Sequence, residues 1–472
     1  MGALSHDYTE NVRRIRERLR VDESFDLIER HLRVDKRDLC FFYIDGFTKD
    51  GEMLRIMQHL LSQAKMGTAE DTLLTLPYVE VEICSDIDKL TAAVLSGQTA
   101  VFAESFGDKA ILVDVRTYPA RSTAEPESDK VMQGARDGFV ETLVVNTALI
   151  RRRIRDERLT MEHVNIGGAS KTDVVICYMS GKADPKLVID VREKLKNAKP
   201  KSVTLGFQSL AESLIRTGWF NPFPKIRTTE RPDTAAAQVL EGSVLVICDT
   251  SPQVMILPTS LFDYIEQADD YYFPPLTGTY LRIVRTVILL LSVVATPLWY
   301  LAIEYQTVLP EALRFIIPDE PGALPIILQL FLAEVAIDGL KIASMNTPDI
   351  LSNSLSIVGA LILGDFAVSV GWLCEDVILY MAFVAIANFA QQNHELGYAF
   401  KFMRMMILGL VWVLNIYGFI IGLVLFCFFV TRVKTAAGKR RYLYPLIPFN
   451  ARDFKRLIIR RKKDDFYESD AS

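Results

Sequence analysis

A change in hydropathy near residue 281 constrains this chain more than any other feature. Charged residues occur throughout the sequence up to Leu281, whereas long apolar runs dominate from Arg282 to Val430 and a basic tail follows. The runs 286–303 and 405–431 can each cross a bilayer, because a spanning helix needs about 20 mainly apolar residues. The sequence therefore predicts a soluble part followed by an all-α polytopic membrane domain.

The soluble part shows short β-rich runs that alternate with helical patterns, which indicates an α/β fold. A polar segment with Gly and Pro, 118–138, interrupts the pattern and divides the region into two subdomains. An exposed amphipathic helix is predicted over 10–34. The predicted organisation is a charged helical segment (1–38), a first α/β subdomain with its linker (39–138), a second α/β subdomain (139–275), a transmembrane domain (276–431) and a basic tail (432–472).

The two ends of the chain are expected on the cytoplasmic side. The N-terminal residues lack the apolar core of a signal peptide, and the Lys- and Arg-rich tail follows the positive-inside tendency. Both ends on one side require an even number of crossings. Five candidate segments thus reduce to about four crossings plus one re-entrant or interfacial helix, with 377–390 the first choice for that role and 324–343 the second.

The residues give no support for an enzyme. The five histidines are scattered, the six cysteines form no C-x-x-C pair, and "NIGGASKTD" (165–173) lacks the Gly-Lys of a phosphate loop. We therefore expect no catalytic residues, no metal, no cofactor and no nucleic acid partner, and we expect the cysteines to be buried, unreactive thiols.

Three ionisable residues lie within the apolar segment 324–343. Glu334, Asp338 and Lys341 are spaced four and three residues apart, which places them on one stripe of a helix. A carboxylate in the bilayer core costs roughly 2.5–3.5 kcal/mol on insertion scales, so such groups face protein or water. Two interpretations remain open: pairing, with Asp338 bound to Lys341 and Glu334 to another helix, or an ion path. Asp365 in the next apolar segment fits either.

Several motifs resemble the GerA family, the A subunits of spore germinant receptors. They include "YIDGF" (43–47), "SKTDVVICYM" (170–179), "TERPD" (229–233), "GDFAV" (364–368) and "YPLIPFN" (444–450). The resemblance extends over nearly the whole chain after residue 38. It departs from the receptor subunits at "NTPDILSN" (346–353) and "QQNHELG" (391–397), which puts direct nutrient sensing in doubt.

This resemblance implies a role in spore germination in the inner spore membrane. It implies a membrane domain that forms or supports an oligomeric ion-conducting channel, with membrane lipid, further copies of the chain and other germination membrane proteins as partners. It shifts the expectation for Glu334 and Asp338 towards a water-facing role. The alternatives are a non-conducting scaffold and a nutrient-sensing receptor subunit. Glu230, Arg231 and Asp233 in "TERPD" are expected to make contacts between subdomains or protomers.

Overall fold

The computed structural model describes residues 2–63, 65–118, 134–198, 203, 206–214, 220–346, 359, 367–391, 393–433, 435 and 442–459. The chain divides into two compact units. The first contains Met1–Thr217, Ile226–Thr259 and Thr435–Arg440, and the second contains Gly218–Lys225, Ser260–Lys434 and Arg441–Ser472. The domain boundaries expected from the sequence stay predictions.

The first unit is α/β and contains two five-stranded sheets. Its first half consists of α1 (Tyr8–Leu19), β1 (Leu27–Val34), β2 (Arg37–Ile44), α2 (Asp50–Ser62), α3 (Ala69–Thr75), β3 (Val81–Cys84), α4 (Ile87–Leu95), β4 (Thr99–Ala103) and β5 (Ala110–Val113). Its second half consists of α5 (Leu143–Arg153), β6 (Leu159–Ile166), β7 (Thr172–Met179), α6 (Pro185–Asn197), α7 (Phe207–Leu214), β8 (Arg227–Thr229), α8 (Pro232–Leu240), β9 (Val244–Cys248) and β10 (Val254–Leu257).

The two halves repeat one topology. The strand orders are β1-β2-β4-β5-β3 and β6-β7-β9-β10-β8, and helices and strands follow each other in the same sequence in both halves. All strand pairs within the described residues are antiparallel. The helices α4 and α8 are both nine residues long, and each is followed by a glycine with positive φ, Gly97 (φ +100°) or Gly242 (φ +97°). Only a residue without Cβ adopts this conformation freely. The first unit is therefore an internal structural repeat.

Both faces of each sheet are covered by helices. Along β2, Cys40 and Phe42 belong to one apolar core, and Leu39 and Phe41 belong to the core on the opposite face. This alternation follows from the two-residue period of a strand. It explains why the strands appear in the sequence as short, nearly continuous apolar runs.

The helix predicted over 10–34 is only half correct. The helix α1 ends at Leu19, where Arg20 caps it in the left-handed region, and Leu27–Val34 is a strand paired with β2 along all eight residues. The cause is a two-residue turn, Asp35–Lys36, with positive φ at both positions, which is the geometry that joins tightly paired antiparallel strands. Strand pairing overrides the helical pattern of the segment.

A buried ion pair joins the two halves of the first unit. Arg151 on α5 donates to both carboxylate oxygens of Asp26, at 2.7 and 3.0 Å, and to the hydroxyl of Ser24 at 3.1 Å. Both charged side chains are almost fully buried. Because a guanidinium binds a carboxylate through two parallel hydrogen bonds, this contact also fixes the orientation of α5.

The second unit is helical. It contains α9 (Asp269–Tyr272), α10 (Pro275–Glu304), α11 (Ile326–Asn346), α12 (Ala367–Ser369), α13 (Glu375–Phe389), α14 (His394–Thr431) and α15 (Ala451–Ile458), together with short 3-10 segments at Phe262–Tyr264 and Glu311–Ile316. Among the described residues, two helices are long and apolar enough to cross a membrane, α10 and α14.

The helix α14 is not a straight rod but a hairpin of two arms, 394–414 and 416–431. Asn415 interrupts it with a non-helical conformation (φ 52°, ψ −131°). The rings of Phe400 and Phe426 lie 5.7 Å apart, whereas 26 residues of straight helix span about 39 Å. The segment 405–431, predicted as one span, therefore begins in the first arm and returns in the second.

Most of the cysteines are buried. Cys40, Cys84, Cys177, Cys248 and Cys374 are buried free thiols, and Cys427 is an exposed one. Burial raises the pKa of both Cys177 and Cys248 to about 12, so neither is a nucleophile at neutral pH. The prediction of buried thiols is wrong for Cys427.

Candidate functional site: a buried charge cluster on α11 and α14

The three ionisable residues of α11 all face the first arm of α14. The Arg404 Nε donates to Glu334 Oε1 at 2.7 Å, and Lys401 Nζ lies 3.3 Å from Glu334 Oε2. Lys401 also forms an ion pair with Asp338. The ammonium of Lys341 lies 4.8 Å from the ring centre of Tyr398, a cation–π contact. The stripe inferred from the sequence spacing is thus a helix–helix interface.

The four ion-paired groups of the cluster balance their formal charges, and the cationic Lys341 lies beside them. Glu334 and Asp338 supply two carboxylates, and Lys401 and Arg404 supply two cations. Arg404 is fully buried, and its Nη1 donates at 3.0 Å to the carbonyl oxygen of Ser292 on α10. Mutual pairing of this kind is what makes buried charges tolerable in an apolar environment. Three helices, α10, α11 and α14, are connected through it.

The two carboxylates differ in how far they are exposed. The side chain of Glu334 is 4% exposed, whereas that of Asp338 is 33% exposed. Asp338 lines a small pocket together with Lys341, Asn388, His394, Tyr398 and Lys401. Its volume is ≈ 20 Å³, room for about one water molecule. The polar end of the cluster therefore has room for water, but a pocket of this size is not by itself a conduction path.

The other predicted site residues lie elsewhere. Asp365 is outside the described residues. Arg231 pairs with Asp233 at 2.7 Å and donates to the carbonyl oxygen of Ala135, in the segment before α5, at 3.0 Å. The Glu230 carboxylate accepts a hydrogen bond from the Gln253 amide at 2.9 Å. The predicted contacts between subdomains or protomers for these residues stay predictions.

Sequence reasoning missed the basic partners of the stripe. Lys401 and Arg404 are three residues apart at the start of a long apolar run, and their spacing places them on one face of the first arm. This complementary pattern was present in the sequence, but the pairing of the two helices cannot be inferred from spacing alone.

A second buried charge cluster lies at the start of α10. Arg285 donates to both carboxylate oxygens of Asp270, each at 3.1 Å, and Arg282 lies 2.8 Å from the Glu266 carboxylate. Asp270 is completely buried. Arg282 also donates to the carbonyl oxygen of Leu457 on α15 at 2.9 Å. This cluster fixes the N-terminal end of the first apolar helix and was also not predicted.

The motif "NPFPK" (221–225) lies against the hairpin. The Asn221 amide donates at 3.0 Å to the carbonyl oxygen of Phe429 in the second arm. The ring of Phe223 contacts those of Phe400 and Phe426, one from each arm. These contacts tie the two arms of α14 together at their ends.

The family model described as "Bacillus/Clostridium GerA spore germination protein" matches residues 13–469. The chain belongs to the GerA family of spore germination proteins. It is 38% identical to "Stage V sporulation protein AF" of Bacillus subtilis (strain 168) over 94% of this chain and 91% of that protein. It is 28% identical to "Spore germination protein KA" of the same organism, over 93% of this chain and 82% of the relative.

A solved structure also matches the first part of this GerA-family chain. It is the N-terminal domain of the A subunit of the Bacillus megaterium spore germinant receptor GerK3, 24% identical, with a TM-score of 0.41. The match covers 54% of this chain and 95% of the solved one. The GerA resemblance inferred from the sequence motifs is thus confirmed by the family model and the full-length relatives.

Proposed function

We propose that this GerA-family protein is a component of an oligomeric ion-conducting channel that promotes ion release during germination. The chain lies in the inner spore membrane, with both termini on the spore core side and a polytopic helical domain in the bilayer. Its partners are membrane lipid, further copies of itself and other germination membrane proteins. The proposal assigns it no catalytic activity.

The observation that carries the proposal is the Asp338–Lys401 pair beside a pocket with room for about one water molecule. Ionisable groups in apolar helices mark ion and proton pathways when they contact water. Asp338 is partly exposed and borders the pocket, and Glu334 and Arg404 lie directly behind it in the same charge cluster. Because the pocket within one chain holds about one water molecule, conduction requires several copies whose clusters border a common path.

The α14 hairpin limits the number of membrane crossings that the proposed topology can have. Its two arms are antiparallel, so the hairpin begins and ends on one side of the membrane and adds either two crossings or none. The second arm, 16 residues long, spans about 24 Å and is short for a full crossing. We therefore assign the re-entrant role to the tip of the hairpin, in place of 377–390.

A non-conducting scaffold is the second candidate, and the charge balance of the cluster favours it. A fully paired cluster needs no water or ion to be stable, and it would serve only to join α10, α11 and α14. The scaffold and the channel predict different results in a flux experiment.

Liposomes that contain the purified full chain are expected to lose a trapped monovalent cation faster than empty liposomes prepared in parallel. The measurement is cation efflux against time, with circular dichroism to verify that the inserted protein is helical. Helical, oligomeric protein that leaves efflux at the level of empty liposomes would overturn the channel and leave the scaffold.

A further inference from the structure

Three potential metal ligands converge on one face of the first hairpin of the chain. Glu29 and His31 lie two residues apart on β1 and therefore point to the same face, and Cys40 lies directly opposite His31 on β2. The His31 Nε2 is 2.7 Å from Glu29 Oε1, and the Cys40 Sγ is 3.9 Å from each of these atoms. The ligand atoms thus surround a single point.

This arrangement is not that of a catalytic triad. In a triad, the two ring nitrogens of the histidine contact the nucleophile and the acid separately. Here one nitrogen, Nε2, faces both the thiol and the carboxylate. Sulfur, nitrogen and oxygen atoms that all face one position are the arrangement expected of a metal site.

We propose that Glu29, His31 and Cys40 bind a transition-metal ion of the Zn²⁺ class, with a fourth position open to water. Zinc accepts thiolate, imidazole and carboxylate ligands in tetrahedral geometry. Around one tetrahedral zinc ion, the nitrogen and oxygen ligand atoms lie about 3.4 Å apart, and the sulfur lies about 3.6 Å from each of them. In the structure the nitrogen and oxygen are closer than this, at 2.7 Å, and the sulfur is slightly farther from each, at 3.9 Å. Metal binding therefore requires side-chain adjustments of up to about 0.7 Å. Binding releases the thiol proton of Cys40 to solvent, because the thiolate is the ligand.

The surroundings of the three residues provide further support. The second oxygen of Glu29 lies 3.4 Å from Arg16, and such an outer contact orients a ligating carboxylate. Tyr8 on α1 packs against the apolar core that contains Cys40, and its buried hydroxyl has no hydrogen-bond partner within the described residues. A bound ion with its water would supply a hydrogen-bond partner to this hydroxyl.

The internal repeat supplies a natural control. The strands β6 and β7 pair over eight residues, as β1 and β2 do, so His163 occupies the position equivalent to His31. The residue opposite His163 is Val175, and the position equivalent to Glu29 is Met161. The second half therefore has a histidine at the matching place, but the positions equivalent to Cys40 and Glu29 carry neither a thiol nor a carboxylate. His163 instead lies 2.9 Å from the carboxylate of Asp173, which comes from a different position of β7.

The test is titration of the full chain in detergent with Co²⁺ alone, followed by displacement with Zn²⁺. All samples carry Cys427→Ser, because Cys427 is the exposed thiol. A charge-transfer band from a cobalt–thiolate bond is expected at one Co²⁺ per chain and is abolished by Zn²⁺. His31→Ala should weaken Co²⁺ binding at least about 10-fold, since loss of an outer-shell partner already costs that much.

His163→Ala should bind Co²⁺ as tightly as the parent, and Cys40→Ser should lose the band. His31 is exposed, so its replacement keeps the fold even if the buried Cys40 variant does not. Absence of the band in the parent chain, or a band that His31→Ala leaves unchanged, would overturn the metal site.

Discussion

Replacing Glu334 with glutamine is expected to destabilise the helical unit by about 3 kcal/mol, because one carboxylate compensates two buried cations. Arg404 and Lys401 would remain in an apolar environment with Asp338 as the only acid of the cluster. The measurement is thermal unfolding of the full chain in detergent, with the amount of monodisperse protein left at each temperature as the readout.

Two further variants separate charge pairing from a general packing defect. Glu334→Gln combined with Arg404→Gln removes one charge of each sign and should lose less stability than the two single changes added together. Asp338→Asn should cost less than Glu334→Gln, because Asp338 is partly exposed and Lys401 keeps its ion pair with Glu334. Unfolding of Glu334→Gln at the temperature of the parent chain would show that the cluster does not stabilise the fold.

Gly418→Ala is expected to open the α14 hairpin. A Cβ at this position would collide with the backbone carbonyl of Leu410 in the first arm, and one at Gly422 would lie 3.2 Å from the Cα of Ile407. Backbone cannot move aside as a flexible side chain can, so the arms must separate, at a cost of about 1–3 kcal/mol or more. The Gly-x-x-x-Gly spacing thus serves packing within one chain.

Gly409 provides the matched control. It lies in the same helix with nothing within 4 Å of an added Cβ, so Gly409→Ala should be neutral or stabilising by up to about 1 kcal/mol. The measurement is cross-linking of Phe400→Cys with Phe426→Cys by a short reagent. We expect the cross-link in the otherwise unchanged chain and in Gly409→Ala, and its loss in Gly418→Ala. No cross-link in any background would contradict the hairpin.

The sequence predicted the α/β region and the apolar helices that follow it, because each rests on local composition. The strand β9, for example, is a continuous apolar run that a residue-by-residue pattern detects. The stripe on α11 was predicted for the same reason: spacing along one helix is a local property. The strand Leu27–Val34 was missed because its state depends on pairing with β2.

Features that depend on distant residues could not be predicted. Asn415 reverses the chain inside an apolar run, and nothing in the composition of that run distinguishes a hairpin from a straight span. The partners of Glu334 and Asp338 come from a helix some 65 residues away, and His31 meets Cys40 only through strand register. The internal repeat is likewise visible in strand order and not in obvious sequence identity.

The most direct test of the proposed ion path is cation release from germinating spores that carry Asp338→Asn. Glu375→Gln is the control, because it removes an exposed carboxylate from the start of α13, outside the charge cluster. At matched protein levels we expect slowed or altered release with Asp338→Asn and normal release with Glu375→Gln. Identical release in both variants and the parent would contradict the account and show that the cluster only holds the helices together.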